Sequence, residues 1–211
     1  MSNNKISLNI MAFPAGPICN LHCKYCYYYN KAELYPEVNN FQMSEELLEE
    51  YVKQYIESQP GPYIAFGWQG GEPTLRGLPF FKKAVSLQKK YLPPDWQCQN
   101  SFQTNGTLLT KEWCKFFKEN NFLIGISIDG PRELHDSYRT DKEGNSSFNS
   151  VMKGLNLLKT FDVDYNVLCT VNNINAKHSL KVYHFFKEQK ISFIQFIPIV
   201  ERINGKLSIQ S

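Results

Sequence analysis

Residues 6–29 read ISLNIMAFPAGPICNLHCKYCYYY, an apolar run from Ile6 to Phe13 that breaks at Pro14 and passes directly into Cys19, Cys23 and Cys26. The run has the length and composition of a strand, and the cysteines therefore fall just past its carboxyl end. Working outward, Ser44 to Ser58 places Leu47, Leu48, Tyr51, Val52, Tyr55 and Ile56 on one helical stripe, with Ser44 as N-cap and Glu45 and Glu46 in the first turn. Strands are expected over Pro62–Trp68, Trp96–Gln103, Phe122–Ile128, Val163–Val171 and Ser192–Ile197. Helices are expected over Leu78–Tyr91, Thr110–Asn120, Phe148–Lys159 and Ala176–Gln189. About six strands alternate with five helices, an α/β order that implies a parallel sheet with right-handed crossovers. Periodicity leaves open whether the sheet rolls toward a barrel or stays open and doubly wound. In both cases ligands bind at the carboxyl ends of the strands.

The polar and glycine-bearing motifs gather at those ends. They are Gly16 to Tyr29, Gln69-Gly70-Gly71-Glu72-Pro73, Thr104-Asn105-Gly106, Asp129-Gly130-Pro131 and Asn172-Asn173. The 211 residues carry 23 Lys+Arg against 20 Asp+Glu, and a net charge of +3 is too mild to imply nucleic acid. An apolar fraction of 42% supports a real core and argues against disorder or a collagen-like repeat. The length suits one domain and falls below the ~250 residues of a complete eight-unit barrel. No apolar run reaches the ~18 residues needed to span a bilayer, and no export signal precedes the first strand, so a cytoplasmic location without a membrane is expected. In that setting the six cysteines are reduced thiols or metal ligands rather than disulfides. Cys98, Cys114 and Cys169 stand alone and suit the core, and His135, His178 and His184 show no ligand spacing.

The C-x3-C-x2-C triplet needs a chemical reason. A closed zinc site wants a fourth ligand, and His22 adjoins Cys23 too closely to reach the same metal without strain. Ferredoxin-type clusters use four cysteines, and none follows Cys26 until Cys98. A 4Fe-4S cluster held by three cysteines keeps one iron open for an outside ligand, which suits catalysis.

With Tyr25 before the last cysteine and Tyr27 after it, this loop resembles the signature of radical S-adenosylmethionine (SAM) enzymes. The run from Gly16 to Tyr29, with Gln69–Thr74, Phe102–Thr107 and Ile126–Pro131, resembles more narrowly the anaerobic sulfatase-maturating enzymes. The resemblance implies a partial (β/α)6 TIM-like barrel of parallel strands and two cofactors, a 4Fe-4S cluster on Cys19, Cys23 and Cys26 and S-adenosyl-L-methionine on the fourth iron. An electron would cleave the sulfonium, and the 5'-deoxyadenosyl radical would take hydrogen from the substrate. Tyr25, Gly70, Gly71, Glu72, Ser127, Asp129 and Arg139 are the cofactor-binding candidates. The two glycines allow close backbone approach, Glu72 offers an acceptor, and Arg139 can hold the methionine carboxylate. Asp129-Gly130-Pro131 also reads as an ordinary turn, and Arg139 as half of a surface ion pair.

Tyr28, Gln69, Gln103 and Asn105 are the implied substrate-binding residues, neutral groups that suit a peptide better than a phosphorylated metabolite. The substrate implied is a Cys or Ser of a sulfatase, oxidised to formylglycine, with an electron donor such as flavodoxin or ferredoxin. Full-length members carry a cysteine-rich C-terminal extension with auxiliary clusters. This chain has no cysteine after Cys169, so residues 1–211 are expected to form the radical SAM core alone, with the general base outside it. Alternative readings are another peptide-modifying maturase, a non-catalytic iron-sulfur or zinc domain, and an inactive truncated fragment.

Overall fold

The computed structural model describes residues 5–203 and 206–208. Six parallel strands form one sheet in sequential order: β1 (Met11–Ala12), β2 (Tyr63–Trp68), β3 (Gln97–Thr104), β4 (Phe122–Ser127), β5 (Tyr165–Val171) and β6 (Ile194–Pro198). A doubly wound sheet would reverse direction at a switch point. The sequential order instead gives a curling partial barrel, which remains open because β1 and β6 do not pair among the described residues. The helices are α1 (Glu45–Ser58), α2 (Leu78–Tyr91), α3 (Lys111–Glu119), α4 (Arg132–His135), α5 (Phe148–Thr160) and α6 (Ser179–Glu188). None is long and apolar enough to cross a membrane.

Strand alternation sorts the side chains. Ile64, Phe66, Trp68, Phe102, Ile124, Ile126 and Val167 point to the helix-covered face and are buried. Trp68, Phe81, Phe102, Trp113 and Phe117 interlock there with successive ring centroids 5.0–5.6 Å apart. Each such burial contributes about 1.5–3 kcal/mol before chain entropy is counted. The opposite face carries mainly small and neutral polar residues, Gly67, Ser101, Gln103, Gly125, Asn166 and Gln195, with Leu123 and Leu168 among them, around a cavity of about 160 Å³.

The first strand is much shorter than the Ile6–Phe13 run suggests. Gln59, just past α1, accepts from Leu8 N at 3.3 Å and donates to Leu8 O at 3.1 Å, replacing a strand partner and peeling this segment from the sheet. Tyr55 Oη also donates to Leu8 O, at 3.0 Å. An antiparallel pair beyond β6, β7 (Glu201–Ile203) and β8 (Lys206–Ser208), was not expected.

Candidate functional site

The cysteine loop is stitched to its neighbours by backbone. Gly71 N donates to Gly16 O and Glu72 N to Ile18 O, both at 2.8 Å. On the other side His22 N donates to Thr140 O at 2.8 Å and Lys24 N to Tyr138 O at 3.0 Å. These contacts correct the reason for the two glycines. A Cβ on Gly71 would overlap the Ile18 carbonyl, and one on Gly70, at φ +116°, would lie 2.7 Å from Gly16 O. Their missing side chains admit the cysteine loop itself, although both residues also line the cavity beside it.

That cavity, about 900 Å³, opens at the carboxyl ends of the strands and gathers most of the candidates: Cys19, Cys23, Cys26, Tyr25, Tyr28, Gln69, Gly70, Gly71, Gln103, Asn105, Ser127 and Arg139. Burial pushes the Cys19 thiol up to about 12. Burial also raises Cys23, while the Arg139 guanidinium pulls the other way. No group of three or more His, Cys, Asp or Glu among the described residues could hold a single metal ion. A cluster asks for something different, because each thiolate takes its own iron and the sulfurs need not converge on one point. Three thiols bordering one large cavity fit a cluster and do not fit a zinc staple.

Two expected cofactor ligands lie behind the wall instead of on it. Glu72 is fully buried; its Oε1 accepts from Thr74 N (3.1 Å), Thr74 Oγ1 (2.6 Å) and Thr104 Oγ1 (2.8 Å), and its Oε2 from Asn105 N (2.7 Å). Burial raises its carboxyl, and these hydrogen bonds oppose the rise. Asp129, also fully buried, accepts from Thr170 N at 2.9 Å through Oδ1. Its Oδ2 takes Arg139 Nε at 2.9 Å and the Tyr25 hydroxyl in a short bond. Both carboxylates are fully buried and neither lines the cavity, so both tie strand ends and loops together. The Tyr25 hydroxyl is spent on Asp129, and its ring lies under the Arg139 guanidinium at 5.3 Å. The Arg139–Asp129 pair is buried, not the surface pair that the sequence also allowed. Burial opposes the charge on Arg139 most strongly, but Asp129, Tyr25 and Cys23 together outweigh it, and the guanidinium stands as a cation at the cavity wall.

A neutral histidine supports this pair. Asp129 N donates to His135 Nδ1 at 3.4 Å, so the ring proton sits on Nε2, 3.0 Å from Ser147 Oγ, which in turn donates to Arg139 O at 2.7 Å. Burial, with Arg139 nearby, lowers His135 to about 4, against the opposing pull of Asp129 and Asp136. A folded value below the unfolded value of about 6.5 means that the unfolded chain binds the extra proton first. The chain should therefore lose stability as pH falls from about 6.5 toward about 4, and His135→Gln should flatten that fall. Urea midpoints at stepped pH check this, and equal slopes for the two proteins would contradict it.

The substrate candidates divide. Gln69 Nε2 lies 3.4 Å from Tyr28 Oη, and Gln103 Nε2 donates to Ser127 Oγ at 3.2 Å, all four on the cavity wall. A Cβ on Gly125 would stand 2.5 Å from Gln103 Oε1, so that glycine makes room for the glutamine. Asn105 is committed elsewhere, to Thr107, Asn20 and Cys19. Lys24, Lys31, Thr170 and Gln195 also line the cavity and were not anticipated. Gln195 was legible as an inward position of an alternating strand, whereas the lysines lie in a loop whose course the sequence does not give.

Comparison with known proteins matches residues 13–186 to a family model described as the Radical SAM superfamily. The chain is 54% identical over 196 residues to a serine-type anaerobic sulfatase-maturating enzyme of Bacteroides thetaiotaomicron, covering 93% of this chain and 47% of that protein. It is 43% identical over 199 residues to a cysteine-type anaerobic sulfatase-maturating enzyme of Clostridium novyi, covering 94% and 53%. Among solved structures, native anSMEcpe with bound AdoMet and the Cp18Cys peptide superposes with a TM-score of 0.83 at 39% identity, covering 93% of this chain and 53% of that one. The chain thus spans about half the length of the curated relatives it matches.

Proposed function

The chain belongs to the radical SAM superfamily, and from that premise we propose that it is the radical core of a sulfatase maturase, acting on a Cys or Ser in a polypeptide to give formylglycine. The observation that carries the reading is one cavity of about 900 Å³ lined by all three cysteines, by the Arg139 guanidinium with Lys24 and Lys31, and by the neutral hydrogen-bonding side chains of Tyr28, Gln69 and Gln103. Cys19, Cys23 and Cys26 would hold three irons of a 4Fe-4S cluster. Cluster and SAM together would supply one-electron reductive cleavage of SAM and, from the cleaved SAM, hydrogen-atom abstraction.

The remaining work belongs to this chain's residues. Arg139, paired with Asp129 and faced by Tyr25, offers its cavity edge to the SAM carboxylate. Ser127 and the Gly70–Gly71 backbone complete that side, while Glu72 and Asp129 hold the strand ends behind it. Tyr28, Gln69 and Gln103 present amide and hydroxyl groups to a peptide backbone. Walls of ordered strand ends orient the reacting carbon and exclude water from a reactive site. The described lining residues include no Asp or Glu, so a carboxylate base would come from outside them. A flavodoxin or ferredoxin would supply the electron, in the cytoplasm.

The test is a Ser or Cys peptide deuterated at Cβ, incubated anaerobically with the reconstituted chain, SAM and reductant. Deuterium should appear in 5'-deoxyadenosine. Gln103→Ala should lower that transfer by roughly tenfold, the scale of one lost hydrogen bond, with SAM cleavage retained. SAM cleavage without deuterium transfer in the parent chain would overturn the substrate assignment.

A further inference from the structure

We propose that Asn105 is a positioning residue for the cluster, directing a carboxamide N–H at the Cys19 sulfur and making the cluster easier to reduce. The inference rests on the reading of Cys19 as an iron ligand. Asn105 is almost fully buried, and its side chain has no polar capacity left for a substrate. Its Oδ1 accepts from Thr107 N at 3.0 Å and Thr107 Oγ1 at 2.7 Å. Its Nδ2 donates to Asn20 Oδ1 at 2.9 Å and lies 3.6 Å from Cys19 Sγ.

The orientation of the amide follows from its partners. A backbone N–H can only donate, so the atom facing Thr107 N is the oxygen and the NH2 group must face Cys19. A closed ring fixes it further: Asn105 Nδ2 donates to Asn20 Oδ1, Asn20 Nδ2 to Thr107 Oγ1 at 2.9 Å, and Thr107 Oγ1 back to Asn105 Oδ1. Such a ring polarises its members and leaves the second N–H of Asn105 free only toward sulfur. Leu21 N reaches the same sulfur at 3.3 Å, so Cys19 has two N–H groups directed at it.

Reduction adds negative charge to a cluster, and the added charge is shared with its sulfurs. N–H groups aimed at a sulfur therefore stabilise the reduced form more than the oxidised one, and their strength grows in a buried, weakly screened site. Asn105 links the end of β3 to the first cysteine and sets part of the potential at which the chain accepts its electron.

The experiment is a redox titration of the reconstituted chain, followed by electron paramagnetic resonance, with iron content measured in parallel. Asn105→Ser keeps an acceptor for Thr107 N but is too short to reach Cys19. It should bind normal iron and show a more negative midpoint, on the order of tenfold in the reduction equilibrium, about 59 mV for one electron. Thr107→Val breaks the ring but leaves Thr107 N bonded to Asn105 Oδ1, so the N–H still faces sulfur and the midpoint should move less than in Asn105→Ser. Asn105→Ala serves if the serine variant folds poorly, with the same expected direction. An unchanged midpoint in an iron-loaded Asn105 variant would overturn the proposal. So would an equal shift in Thr107→Val, or loss of iron from both Asn105 variants, since either result makes the role structural. A parent chain that takes up no iron would instead remove the cysteine reading, and this inference with it.

Discussion

Cys23→Ala should yield a folded chain that no longer assembles the cluster or cleaves SAM. The loop's backbone does not depend on this side chain, because His22 N and Lys24 N are held by Thr140 O and Tyr138 O on either side of it. Cys26 N donates to Cys23 O at 3.0 Å, and an alanine leaves that bond intact. The thermodynamic loss from removing one sulfur should be about 1 kcal/mol, the ordinary size of a single substitution. The chemical loss is total, since a thiolate is the ligand and the other two cysteines of the loop, Cys19 and Cys26, each already hold an iron of their own. Iron analysis, circular dichroism and a SAM-cleavage assay on the same preparation separate the two effects. Retained cleavage with normal iron content would remove Cys23 from the ligand set.

Arg139→Ala should give the largest loss of stability among these substitutions. It leaves Asp129, fully buried, without its counter-ion, and breaking a buried pair from one side costs about 3–5 kcal/mol. That is a large share of the total stability of an ordinary domain. It also removes the Nη2 contact to Thr170 Oγ1 at 3.3 Å and the cation above Tyr25. Adding Asp129→Asn in the same chain removes the stranded charge and should recover part of the loss, a non-additivity expected for groups in contact. SAM binding should remain lost in both variants, because the guanidinium is absent in both. Urea midpoints and equilibrium binding check the two statements. An undiminished midpoint for Arg139→Ala, or a further loss on adding Asp129→Asn, would contradict the buried-pair reading.

The cysteine triplet, the strand ends and the alternating strand–helix units were legible because they depend on local spacing and periodicity, whereas the partial barrel was implied by the family resemblance. Helix α2 (Leu78–Tyr91) matches its expected bounds, and the strand ends deliver Gln69, Gln103 and Ser127 to one cavity. What failed was long-range. Glu72 and Asp129 look like ligands in the sequence because an acid at a strand end is a free acceptor until its partners are known. Those partners, Asn105 N and Thr170 N, lie 33 and 41 residues away. The resemblance implies Asn105 as a substrate group, and its contact with Cys19, 86 residues distant, is not visible in local spacing. Gly70 and Gly71 were recognised as close-approach positions, but the approaching backbone is the cysteine loop. The short β1 reflects Gln59 and Tyr55 capturing Leu8, which no periodicity reports.

The central claim is that Cys19, Cys23 and Cys26 hold a cluster with one iron open to SAM. Its most direct test is an anaerobic electron paramagnetic resonance spectrum of the reconstituted, reduced chain, recorded with and without SAM. The account predicts a single cluster signal whose shape changes when SAM is added. A chain that gives no cluster signal, or one indifferent to SAM, would contradict it.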